Sequence, residues 1–218
     1  MTSMTLRIAS EVAPIVHVVE DDASTRTATM RFLRASGHAV RGYGTPAEFL
    51  AAVPARTPGC VVLDLRLPGS SGLDVQKALA NFDDPLPVVF LSGHGDVSDS
   101  VEAMKSGAVD FLMKTADGAQ LLDAVSRALE RDTEDRRRRG RLRELHARHA
   151  TLSPREREVL AHLISGQLNK QVGFDLGISE QTTKIHRHRV LEKMRAESIP
   201  DLVRMASDLG IAPVGSVR

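Results

Sequence analysis

Strand-length apolar runs recur through the first half of this chain, and their recurrence constrains the fold more than any other feature. "IVHVV" (15–19), "CVVLD" (60–64), "PVVFLS" (87–92) and "VDFLM" (109–113) are rich in β-branched residues and too short for helices. "HAVRGYG" (38–44) reads as a further strand. Between the runs, 25–36, 46–52, 73–81, 97–106 and 119–129 carry helical spacing. Strand and helix alternating in this way predict an α/β fold with a doubly wound, five-stranded parallel sheet. Ligands of such sheets bind beyond the carboxyl ends of the strands.

The charge is unevenly distributed. Residues 1–130 carry 11 basic and 16 acidic side chains, a net of −5, whereas 131–150 are at +4 and 151–218 at +2. An acidic front and a basic back predict two domains with different partners, the basic one nucleic acid. The stretch "ERDTEDRRRRGRLRELHAR" (130–148) holds the i,i+4 pairs Asp132–Arg136, Glu134–Arg138 and Asp135–Arg139, which favour a helix. Apolar spacing breaks between Leu129 and Leu142, so 131–149 is expected to be an exposed helical linker rather than a coiled coil. Residues 1–13 read as a flexible tail, 14–130 and 150–213 as the domains, and 214–218 as a second tail. The single cysteine, Cys60, excludes an internal disulfide framework and reads as buried packing. With no signal-peptide core and no apolar run long enough to span a bilayer, the expected location is the cytoplasm, with no membrane partner.

The strand ends carry the chemistry. The first strand runs into Glu20, Asp21 and Asp22, and the third into Asp64; in a parallel sheet these ends are neighbours. Converging carboxylates are costly unless a hard cation neutralises them, and Mg²⁺ takes one or two carboxylates with waters and phosphate oxygens. The fourth strand ends in Ser92 and the fifth in Lys114. Acids, hydroxyl and lysine together form a phosphoryl-transfer site in which an aspartate can be the nucleophile.

Through "VVEDDAS", "VVLDLRLPGSSG", "FLSGHGDV" and "GAVDFLMK", residues 14–130 resemble the receiver domain of two-component response regulators, a flavodoxin-like fold. The resemblance implies that a sensor histidine kinase phosphorylates Asp64. It implies Mg²⁺ on Asp21, Asp64 and the backbone carbonyl of Arg66, with Glu20 assisting, and Ser92 and Lys114 on the phosphoryl group. Phe111 matches the aromatic position that reorients on activation. Two departures stand out: Glu20 lies where Asp is usual, and Lys114-Thr115 replaces Lys-Pro. A cis bond before a non-proline residue costs about 2.5–4 kcal/mol, so Lys114–Thr115 is expected to be trans, with a more mobile loop after it.

In the back half, Ser153, Pro154 and Glu156 spell a capping box opening a helix to about Ile164, which Gly166 stops. A second helix spans 169–176, and "GIS" turns into a third that Ser179 caps and that runs to about Met194. A fourth opens at Ser198–Asp201 and ends at Gly210. Helix, short glycine turn and longer helix make a helix-turn-helix. At about 100° per residue, Thr183, Arg187, Val190 and Met194 share the inner face of the third helix. Gln181, Lys184, Ile185, His188 and Glu192 face outward. Lys184, Ile185 and His188 are candidate base readers; Thr182, Arg187, Arg189, Asn169 and Lys170 are candidate phosphate contacts. His186 and His188 point apart, against a metal site. Residues 150–212, through "LSPREREVLAHLISGQLNKQV", "LGISEQTTKIHRHRV" and "SIPDLVRMA", resemble the LuxR-type DNA-binding domain; both halves together resemble FixJ-type regulators. Gly173 departs from the usual alanine, at an expected helix cost of about 1 kcal/mol.

The resemblance implies a transcription factor whose phosphorylation controls homodimerisation, through a surface near Met104, Val109, Phe111 and Leu122, and binding to promoter DNA. RNA polymerase is a further candidate partner. No enzyme activity is expected beyond assistance to its own phosphoryl transfer and dephosphorylation. An aspartyl-phosphate phosphatase would need a second acid where Arg66 stands. A regulator independent of phosphorylation, switched by a partner or ligand, is the alternative that Thr115 raises.

Overall fold

The computed structural model describes residues 13–53, 57–93 and 97–215; His94–Asp96 of the "FLSGHGDV" motif lie outside them, as do most of both expected tails. The chain divides into two compact units between Arg136 and Arg137. No helix among the described residues is long and apolar enough to cross a membrane.

The first unit is an α/β sheet. Its strands are β1 (Ile15–Val19), β2 (Ala39–Tyr43), β3 (Gly59–Leu63), β6 (Val88–Ser92) and β7 (Asp110–Met113). They are all parallel, in the order β2-β1-β3-β6-β7. Helices α1 (Ala23–Ala35), α2 (Pro46–Ala52), α3 (Gly72–Ala80), α4 (Val97–Lys105) and α5 (Gly118–Ala150) follow the strands. A two-residue hairpin, β4 (Arg66–Leu67) with β5 (Ser70–Ser71), is an element that spacing alone did not reveal.

Alternate residues of the buried strands feed two cores. Val61, Leu63, Val88 and Phe90 pack with Phe49, Leu73, Leu79 and Ala103 from α2, α3 and α4. Val16, Val18, Val62 and Val89 pack with Leu33 of α1 and Leu121, Ala124, Val125 and Ala128 of α5. Cys60 is free and buried in the second core. Burial on both faces is why β3 shows no polar alternation. His17 breaks the apolar pattern of β1: it is fully buried, stacks on Tyr43, and shares a hydrogen bond between Nδ1 and the Tyr43 hydroxyl at 3.1 Å. Burial and the nearby Arg41 lower its pKa to about 4.

The stretch 131–149 is helical, as expected, and about half of its residues are exposed. It belongs to the single 33-residue helix α5, and its polar residues are partly inside. Asp132 is only 2% exposed; Oδ2 accepts from the Gly59 N–H at 2.9 Å, and both oxygens accept from Arg136 Nε at 2.9 and 2.7 Å. Arg136 also donates to the Thr57 carbonyl. The i,i+4 charge pair thus bolts α5 to the amino end of β3, where an apolar residue could not satisfy the strand's first N–H. Further along α5, Leu145 is buried in the core of the second unit.

That second unit is all helical: the last part of α5, then α6 (Pro154–Ile164), α7 (Asn169–Leu176), α8 (Glu180–Met194) and α9 (Ile199–Asp208). The capping box forms as the sequence spells it, with Ser153 Oγ accepting from the Glu156 N–H at 3.2 Å and Glu156 Oε2 from the Ser153 N–H at 2.8 Å. Leu152, Val159, Leu160, Leu163, Val172, Val190, Met194 and Leu202 build the core.

Asp132→Ala is expected to destabilise the first unit by about 2–4 kcal/mol, because Arg136 and the Gly59 N–H both lose their carboxylate. Urea unfolding followed by the fluorescence of Tyr43, the one tyrosine in a chain without tryptophan, reads this unit directly. A midpoint equal to that of the parent would show that the bolt contributes nothing.

Candidate functional site

The acidic site follows from strand register. Val19 of β1 pairs with Leu63 of β3, and the Asp64 N–H donates to the Val19 carbonyl at 2.9 Å, so Glu20 and Asp64 leave the sheet side by side. From β1 the chain turns outward to β2, and from β3 it turns the other way toward β6; this reversal opens the crevice. Glu20, Asp21 and Asp64 can each bring one oxygen within 4.8 Å of the others. Glu20 and Asp64 are buried, while Asp21 is exposed on the open side. Asp22, the remaining acid of the run, is committed elsewhere: it caps α1, accepting from Ser24 Oγ at 2.6 Å and the Thr25 N–H at 2.7 Å. Those bonds hold its carboxyl down to about 2.

Lys114 ties the acids together. Its ammonium lies 2.6 Å from Glu20 Oε2 and 2.7 Å from Asp64 Oδ2. Burial pushes the Glu20 pKa up against the opposing pull of Lys114, with Asp64 adding to the rise. Burial would lower the Lys114 pKa, but its bonds to Asp64 and Glu20 together raise it. The longer Glu20 side chain therefore has a visible consequence: it reaches the lysine. All described peptide bonds are trans, Lys114–Thr115 included, and the lysine meets Asp64 without a following proline. Ser92, fully buried at the end of β6, accepts at its carbonyl from the Lys114 N–H at 2.7 Å. Phe111 is half-buried opposite Phe90 across the β6–β7 pairing, with ring centroids 6.0 Å apart. Of the expected dimer face, Met104 is exposed, whereas Val109, Phe111 and Leu122 lie half-buried against the cores.

The loop after Asp64 folds back through the β4–β5 hairpin. Asp64 Oδ1 accepts from the Arg66 N–H at 3.2 Å, and the Gly72 N–H donates to the Leu65 carbonyl at 2.8 Å. A Cβ at Gly72 would lie 2.4 Å from the Asp64 carbonyl oxygen and 2.9 Å from the Phe90 ring, so only glycine closes this loop. "PGSSG" signals the turn, but nothing in the string signals that contact. Three oxygen ligands, one of them open to solvent, suit a hard cation that keeps several waters.

The second site is the outer face of α8. Thr183, Val190 and Met194 are buried, and Gln181, Lys184, Ile185, His188, Arg189 and Glu192 are exposed, as the helical spacing requires. Lys184 pairs with Glu180 at 3.2 Å. Arg187 is half-buried, its Nη1 3.4 Å from Asn169 Oδ1, so this pair links α8 to the start of α7. Ser179 caps α8 by accepting from the Thr182 N–H at 3.0 Å. Lys170 is exposed one residue from Asn169. His186 is half-buried and His188 exposed, in line with their opposite directions.

Gly173 does more than weaken α7. A Cβ there would stand 2.8 Å from the Ile178 carbonyl oxygen and 3.2 Å from Thr183 Oγ1, so the missing methyl lets the turn and α8 close on α7. Two further anchors escaped sequence reasoning. Lys193 near the end of α8 binds the buried Glu156 at 2.6 Å, a contact that holds the Glu156 pKa low, together with the Ser153 N–H. Arg148 of α5 donates to the Met194 carbonyl at 3.2 Å, capping the same helix end.

Residues 16–126 match the response regulator receiver domain family, and 150–206 match the luxR family of bacterial regulatory proteins. The chain is 46% identical to nodulation protein W of Bradyrhizobium diazoefficiens, over 91% of this chain and 87% of that one. It is 44% identical to the transcriptional regulatory protein FixJ of Azorhizobium caulinodans, over 91% and 94%. Among solved structures, the response regulator StyR superposes with a TM-score of 0.79 at 38% identity, covering 89% of this chain and 98% of that one. A receiver and a LuxR-type DNA-binding domain in one chain, shared with such relatives over most of their length, show that the protein belongs to the two-component response regulators that regulate transcription.

Proposed function

We propose that a sensor histidine kinase phosphorylates Asp64 and that this modification controls homodimerisation and promoter binding. The observation that carries the reading is the Lys114 ammonium held between Glu20 and Asp64 beside an exposed third acid. Asp64 Oδ attacks the phosphorus of a phosphohistidine, the P–N bond breaks, and the electron pair leaves with the imidazole. Lys114 then follows the new phosphoryl oxygens, and Ser92 receives one of them through its hydroxyl. Glu20, Asp21, Asp64 and the Arg66 carbonyl would hold Mg²⁺, which when bound neutralises charge on the phosphoryl oxygens.

The acyl phosphate adds strong negative charge where the resting site has an ion triad. Releasing Lys114 from its two carboxylates biases Ser92, Phe111 and the neighbouring face, where Val101, Met104 and Met113 are exposed. Dimerisation through that face places two copies of α8 on successive half-sites. Coupling of about 1–3 kcal/mol corresponds to a 5–150-fold change in DNA affinity. Lys114 meets Asp64 even though Thr115 replaces the proline, which favours this reading over one independent of phosphorylation. On DNA, Lys184, Ile185 and His188 read base edges from the exposed face of α8, with Thr182, Arg187, Arg189, Asn169 and Lys170 toward phosphates.

Asp64→Asn, nearly isosteric, is expected to keep the fold and lose all hydroxylamine-sensitive labelling by acetyl phosphate. Beryllofluoride with Mg²⁺ should raise the sedimenting mass of the parent toward a dimer and leave the variant unchanged. Labelling that survives in the variant would put the modified residue elsewhere. A parent whose mass and operator affinity both ignore beryllofluoride would favour control by a partner or ligand instead.

On DNA, Lys184→Ala and His188→Ala are each expected to reduce discrimination between operator and random sequence by about 1 kcal/mol, Lys184 being partly offset by Glu180. Lys170→Ala should weaken all sequences alike and flatten the salt dependence by about one unit of slope. Fluorescence anisotropy across a salt series separates the two outcomes; full discrimination by the Lys184 variant would move the reading face elsewhere.

A further inference from the structure

The acidic loop is held by a cation that touches none of its carboxylates. Arg26, in the first turn of α1, donates from Nη1 to the Glu20 carbonyl at 2.6 Å and to the Asp21 carbonyl at 3.1 Å. These two oxygens belong to the residues whose side chains form the carboxylate cluster with Asp64. We propose that Arg26 is a positioning residue for the cation and phosphoryl site, fixing the peptide that aims Glu20 and Asp21 at Asp64. The inference rests on the reading of that site given above.

Every peptide in this short link between β1 and α1 is engaged. The Glu20 N–H donates to the Tyr43 carbonyl at 3.1 Å, the Asp22 N–H to Glu20 Oε1 at 3.3 Å, and Asp22 caps α1. Arg26 supplies the donors for the two carbonyls that strand pairing does not reach. Bonds from an ionised donor are about twice as strong as neutral ones, and the guanidinium stays charged at any working pH. The exposed side chain of Asp21 takes its aim from its own backbone, because burial does not fix it.

Gly42 of β2 and Gly44 just beyond it lie beside the Arg26 side chain. A Cβ at Gly44 would lie 3.6 to 3.9 Å from the guanidinium, and one at Gly42 would sit 3.4 Å from Arg26 Cδ and 2.2 Å from Met30 Sδ. A side chain at position 42 would displace Met30, one turn along α1 from Arg26, whereas one at position 44 would make only ordinary contact with the guanidinium.

Two effects of Arg26 on a bound cation have opposite signs. Its positive charge repels the ion, whereas its hydrogen bonds hold the ligand set. Mg²⁺ demands near-ideal octahedral geometry, and Arg26 spends its donors on carbonyl oxygens rather than on the carboxylates, so positioning prevails. Removing the guanidinium must then weaken the cation rather than strengthen it.

The test compares the full-length parent with Arg26→Met, which keeps the stem, and Arg26→Lys, which keeps one point charge. Mg²⁺ affinity is measured by titration calorimetry, and hydrogen exchange over residues 20–25 is followed in metal-free protein. Arg26→Met is expected to raise the Mg²⁺ Kd about tenfold and to speed exchange in that segment, with Arg26→Lys between it and the parent. The urea midpoint read from Tyr43 should stay close to that of the parent, as a general loss of stability would not. Unchanged or tighter Mg²⁺ binding in Arg26→Met overturns the inference while the parent still binds Mg²⁺ and labels at Asp64. A parent that does neither overturns the site reading and this inference with it. Should Arg26→Met not fold, the same criteria applied to Arg26→Lys decide.

Discussion

The parallel pairing of β1 with β3 is the constraint on which the receiver site depends. It places Val19 opposite Leu63, so the next residue on each strand is an acid and the two acids emerge together. The sheet order reverses at this pair, so neither loop covers the other, and the crevice stays open. Two buried carboxylates side by side would be costly, and Lys114 from two strands away offsets that cost by bonding to both. The two buried acids are thus tied to one lysine, while the third, Asp21, stays exposed.

In the DNA-binding unit the comparable constraint is backbone proximity. The turn between α7 and α8 closes because Gly173 offers no side chain to the Ile178 carbonyl, and Thr183 fills the space on the other side. The far end of α8 is gripped by Arg148 and by the Lys193–Glu156 pair. Held at both ends, the helix presents Lys184, Ile185 and His188 on a surface that packing leaves free.

Much of this was legible from spacing. Every strand of the main sheet lies within a residue or two of its expected bounds, because buried parallel strands must be short apolar runs. Helices α6, α8 and α9 also start where Ser153, Ser179 and Ser198 spell their caps, since a cap uses only residues three apart. Long-range polar contacts were not legible. The sequence shows Asp132 and Arg136 as one i,i+4 pair among several, and only the fold reveals that their partners are Gly59 and Thr57. The burial of Asp132 was not legible for this reason: a charge-rich stretch looks evenly solvated until a strand end supplies something to bind.

The sequence by itself determined the alternation of strands and helices, the acids and lysine at strand ends, and the outward face of α8, because each depends on local periodicity. The tertiary structure decided which acids meet. Asp22, adjacent to Asp21 in sequence, turned to cap α1, while Asp64, more than forty residues away, joined Glu20 and Asp21. It also decided that Glu20 reaches Lys114, that Gly72 lies against the Asp64 backbone, and that Arg26 holds two carbonyls of the acidic loop. Contacts of this kind depend on strand register and chain crossing, which bring together residues whose separation along the chain carries no period to read.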